Sequence, residues 1–141
     1  MRKTYTVHIA PGFPAGGIRI SADVPAGWTE RLDAGGAPRY DVAGLTLGGP
    51  SIVVFPCNGD RAGCINLWIE NHAGGEPVTR TPRDGGRVWV TRALGGGGID
   101  ARMYVPAFDQ DALVVCVAEL GARNKARLGE LQQFCESVRV E

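Results

Sequence analysis

The 141 residues suffice for one domain of ordinary size and are too few for two. Hydrophobic residues make up 44% and charged residues 21%, a globular balance that argues against disorder. Fifteen basic and fifteen acidic side chains cancel, so the chain lacks the basic excess of a nucleic-acid binder or membrane-surface protein. No apolar run has the length of a membrane-spanning helix.

Two skews remain. Thirteen of the fifteen basic residues are Arg, as a GC-rich genome would favour. The 21 glycines cluster as pairs such as Gly35-Gly36, Gly74-Gly75 and Gly85-Gly86, and as the run Gly95–Gly98. Most clusters fall between apolar segments and cut the chain into short elements, a β-rich signature.

From the N-terminus, Tyr5, Val7 and Ile9 alternate with Thr6 and His8 as a half-buried strand that Pro11 and Gly12 stop. Ile18, Ile20, Ala22 and Val24 repeat the alternation, and Pro14 to Gly17 would join the two as a hairpin. Further strands are expected at 39–43, at 51–55 (apolar enough to be central) and at 78–81 and 87–92. The last two flank an Asp84-Gly85 hairpin signal. Segments 101–106 and 112–119 flank Phe108-Asp109-Gln110-Asp111 as another hairpin, and Leu113 to Val117 should be a core strand.

Two segments carry helical spacing. Over 124–138, Leu128, Leu131, Phe134, Cys135 and Val138 form one amphipathic face, with Asn124 as N-cap. Over 60–73, Cys64, Ile65, Trp68 and Ile69 fit a helical stripe ended by Gly74-Gly75, although Ile65, Leu67 and Ile69 also alternate as a strand would. This order gives one α+β domain over 1–141. A mostly antiparallel twisted sheet of six to seven strands would carry a C-terminal helix and one shorter helix.

The stretch Ile18 to Trp28, a strand running into Pro25-Ala26-Gly27-Trp28, resembles the opening of the Mog1/PsbP-like superfamily. The ending is also similar: a hairpin with an apolar strand over 105–118, a helix, then Ser137-Val138 leading a last strand. The superfamily includes the photosystem II subunit PsbP, the Ran-binding protein Mog1, DcrB-like lipoproteins and type VI secretion effector chaperones. The resemblance covers roughly the whole chain and implies an adaptor, chaperone or assembly factor. The chaperones grip hydrophobic helices and often pair as dimers, so a homodimer is one partner to expect on that version.

Chemistry-bearing residues are sparse. Cys57 and Cys64 bracket a small loop, and Cys116 on the core strand can meet Cys135 on the apolar helix face. These are disulfide candidates, and two disulfides would place the protein outside the cytosol. The competing reading is four buried thiols acting as small hydrophobes. The cysteine spacing is too wide for a zinc site and neither His lies near, so no metal or cofactor is expected. His8 sits on the polar side of its strand. Glu70 and His72 would share a face only on a strand. Gly95–Gly98 precedes a strand rather than a helix and reads as a connector.

These residues point to a protein that is not an enzyme and docks a protein partner through a sheet face or hairpin. The candidates for that contact are Trp89 with Arg80, Arg87 and Arg92. Binding to nucleic acid and insertion into a membrane are not expected. A cytoplasmic secretion chaperone, or a small-molecule-binding or catalytic domain with a pocket between sheet and helix, is the competing class. The first residues lack the apolar core of a signal peptide, so the protein is either exported with its leader removed, the version preferred, or cytoplasmic.

Overall fold

The computed structural model describes residues 1–8, 17–45, 49–57 and 61–141. Among these residues, ten strands and two α-helices run in the order β1 (Arg2–Val7), β2 (Ile18–Asp23), β3 (Thr29–Leu32), β4 (Pro38–Asp41), β5 (Ser51–Pro56) and α1 (Arg61–Ala73). They continue as β6 (Thr79–Pro82), β7 (Val88–Ala93), β8 (Ile99–Ala107), β9 (Ala112–Leu120), α2 (Leu128–Glu136) and β10 (Arg139–Val140). The fold is α+β. A seven-stranded antiparallel sheet has the order β3-β4-β5-β9-β8-β7-β6, and β1, β2 and β10 form a second, three-stranded sheet.

Strand alternation divides the large sheet's side chains between two cores. Val90, Tyr104, Leu113 and Val115 face α1, where they meet Ile69, Cys57 and Cys64. Trp89, Met103, Val114 and Cys116 face the other way, onto Tyr5, Ile18 and Ile20 of the small sheet and onto Phe134 and Cys135 of α2. β9 is apolar on both faces because both are covered, which is why 113–117 reads as a continuous apolar run.

The Pro25-Ala26-Gly27-Trp28 segment is a turn with Gly27 at φ +88°. It drops Trp28 against Tyr40 and Phe134, with ring centroids 5.6 and 4.8 Å away. On the other face Trp68 stacks on Phe55 at 4.4 Å and donates its indole N–H to the Pro56 carbonyl at 3.0 Å.

Both disulfides are formed. Cys57–Cys64 ties the end of β5 to α1, and Cys116–Cys135 ties the middle of β9 to α2, with Cα atoms 5.7 and 5.5 Å apart.

The segment Arg61–Ala73 folds as the helix that its apolar stripe predicts. Several expectations need correction. At 13 residues α1 is the longer helix rather than the shorter, while α2 has nine. Asn124 caps nothing in α2: it lies inside a 3-10 turn, Ala122–Arg127, and Leu128 opens the α-helix. Arg127 fixes that boundary, donating to the Ala43 carbonyl at 2.7 Å and to both Glu130 carboxylate oxygens at 3.1 and 3.0 Å. β3 was not expected, because Thr-Glu-Arg-Leu on an exposed sheet edge has no apolar alternation. Ile9 and most of the expected 14–17 turn lie outside the described residues.

Candidate functional site

Two groupings of charged side chains stand out, one beneath α1 and one at the end of α2. Beneath α1, strand register brings three charged residues into one row: Arg92 on β7 lies opposite Asp100 on β8, which lies opposite Glu119 on β9. Arg102, two residues along β8, shares their face. The last turn of α1 drops His72 onto this row, Nε2 standing 3.1 Å from Asp100 Oδ2, while Arg102 Nε donates to Asp100 Oδ1 at 3.2 Å. The Asp100 side chain is only 2% exposed.

Burial pushes the Glu119 carboxyl above the usual carboxylate range, and the neighbouring Asp100 carboxyl adds to this against the pull of Arg102 and Arg92. A His, a carboxylate and a second carboxyl in contact are the parts of a general acid–base site. Asp100 is sealed under the helix, however, with Arg102 paired to one carboxylate oxygen and the His72 ring against the other. The arrangement locks the end of α1 to the sheet.

At the other end of β7 the turn between β6 and β7 meets the C-terminus of α2. Gly85 and Gly86 turn the chain at φ +72° and +77°. Arg83 Nη2 pairs with Glu136 Oε1 at 2.7 Å. Arg87 donates Nε to its own turn at the Asp84 carbonyl, 3.1 Å, and Nη1 to the Glu136 carbonyl, 2.9 Å. Arg139 also donates to the Glu136 carbonyl, at 2.6 Å. Helix-terminal carbonyls lack intrahelical partners and sit at the negative end of the helix dipole, so they gather guanidinium groups.

Two hollows of about 420 and 350 Å³ adjoin here and share Asp84 and Arg87 in their walls. Together they form a trough with Arg83, Arg87 and Arg139 on its sides and half-buried Pro106 and Val140 on its floor, over buried Val105 and Val138.

The four residues expected at a docking contact are dispersed. Trp89 is 5% exposed and belongs to the core, so the expectation that its indole faces a partner is corrected. Its neighbours along β7 point to the α1 face, and Trp89 itself points to the small sheet and α2. Arg92 stands in the charged row, and exposed Arg80 donates to Asn66 on α1. Arg87 alone lines the trough. His72 is engaged with Asp100 rather than Glu70, and His8 is exposed.

Sequence reasoning missed Asp100, Glu119 and Arg139. The first two come together only through register, while Arg139 had a signal in its position just after an amphipathic helix, where a cation meets the helix end. Among the described residues, no group of three or more His, Cys, Asp or Glu side chains is placed to hold a metal, and no helix is long and apolar enough to cross a membrane. No protein-family model matches the chain, and no curated protein matches it.

Proposed function

We propose that this chain is an accessory domain of Mog1/PsbP-like fold that works outside the cytosol and docks a protein partner on the surface where the β6–β7 turn meets α2. One observation carries the docking: Arg83, Arg87 and Arg139 converge on a surface trough, held in place by their bonds to the end of α2. Guanidinium groups fixed in this way meet a partner with little further loss of side-chain freedom. The burial of Asp100, 2% exposed beneath α1, weighs against that carboxylate as a reacting group.

The element order supports the fold family. A strand leads into the Pro25–Trp28 turn, α1 precedes the hairpins, and apolar β9 is followed by α2 and a last short strand. Two closed disulfides support an oxidising compartment. A small-molecule site is the second reading, favoured by a hollow of about 330 Å³ between α1 and β6, lined by Ile69, Ala73, Val78 and Arg80.

Co-purification from the native host separates the two. A protein retained at fixed stoichiometry by the wild type and lost from a folded Arg83→Glu/Arg87→Glu variant is the expected result. A bound small molecule or a turnover activity, with no protein retained, would overturn it.

A further inference from the structure

We infer that the trough at the end of α2 takes an extended segment of the partner in which carboxylate side chains alternate with apolar ones. This rests on the docking reading and adds the chemistry of the partner. In an extended segment successive side chains point to opposite sides. One set would lie on the floor of Pro106 and Val140, and the other would meet the guanidinium groups of Arg87 and Arg139.

Those groups keep donors in reserve. Among the described residues Arg87 uses Nε and Nη1 and Arg139 uses Nη1, which leaves the Nη2 of each. A carboxylate accepts two such N–H groups at once. A nucleic acid fits less well: its phosphates would repeat along an apolar floor that offers them no donor.

The test is fluorescence anisotropy with a labelled octapeptide alternating Glu and Val. The controls are a Lys–Val octapeptide and an oligodeoxythymidine of the same length. Expected is saturable binding of the Glu–Val peptide, weakened about tenfold or more in Arg87→Glu/Arg139→Glu, as loss of one good ion pair would give. Both arginines also cap α2, so Asp84→Arg provides an independent variant. Its side chain makes no bond within the chain among the described residues, and the added guanidinium should tighten the Glu–Val peptide several-fold.

Four results would each overturn the inference: no binding of the Glu–Val peptide, equal binding of the Lys–Val peptide, tighter binding of the oligonucleotide, or an Asp84→Arg variant of unchanged affinity. A partner that co-purifies through the turn while the Glu–Val peptide fails to bind would overturn this inference alone. If no partner co-purifies, the docking reading falls as well.

Discussion

The Tyr40 hydroxyl donates to the Tyr5 hydroxyl at 2.8 Å, and Tyr5 donates onward to Glu30 at 2.6 Å. This relay joins the two sheets, running from β4 to β1 and back to β3. Burial pushes the Tyr40 phenol up to about 12. It pushes Tyr5 higher still, with the Glu30 carboxylate adding to the effect, and it also raises Tyr104, the third and last tyrosine.

All three phenols should therefore stay neutral near pH 10, the ordinary tyrosine value, while the chain is folded. A folded pKa above the unfolded one gives stability that is complete below pH 10 and lost as pH rises beyond it. Ultraviolet titration should show tyrosinate appearing together with loss of ellipticity, above pH 10. A tyrosine ionising at its ordinary value in the folded protein would contradict the burial of the relay.

Glu119 gives the carboxylate counterpart. Its folded pKa is raised, so its contribution to stability is present below the ordinary glutamate range and declines as pH rises through the raised value. Glu119→Gln mimics the protonated form and should melt higher than the wild type at neutral pH, the gap closing on acidification. A variant that melts lower at neutral pH would show that Arg92 and Arg102 need the charge more than burial resists it.

The two disulfides should differ in weight. They close loops of sequence separation 19 (Cys116–Cys135) and 7 (Cys57–Cys64). Chain entropy assigns these about 3 and about 2 kcal/mol. Urea unfolding of the paired Cys→Ala variants should rank them in that order, the core bond losing more because Cys116 and Cys135 are fully buried. The reverse order would mean that the α1 attachment, not the α2 attachment, limits stability.

Gly49 admits no side chain. A Cβ there would overlap the Tyr40 carbonyl oxygen, which accepts no alternative placement because the Tyr40 N–H is bonded to Pro50 O at 2.9 Å. Gly49→Ala should destabilise by roughly 1–3 kcal/mol through overpacking, whereas Gly74→Ala, with open space around its Cβ, should pay only for its positive φ of +58°. Equal costs at the two positions would refute the close approach of the loop before β5 to β4.

Elements whose sequence pattern matches their burial were legible: β1, β2, β5, β8 and β9 alternate or run apolar as their neighbours require. β3 was not, because its Thr, Glu, Arg and Leu lie at an edge where nothing enforces a pattern. Trp89, named as a contact candidate, lies in the core for a related reason. β7 is covered on both faces, so neither face of its alternation is solvent. The Arg92–Asp100–Glu119 row was out of reach because it depends on the offsets of two strand pairs. Trp89→Ala should cost roughly 3–5 kcal/mol, and Trp89→Phe should retain the partner, as a core residue would.

The most direct measurement is photo-crosslinking in the native host, with a photoreactive phenylalanine analogue replacing Asp84 in the trough wall or, as control, Leu67, which is 56% exposed on the outer face of α1. Expected is one protein adduct of defined mass from position 84 and none from position 67. No adduct from position 84, or the same adducts from both positions, would contradict docking at the end of α2.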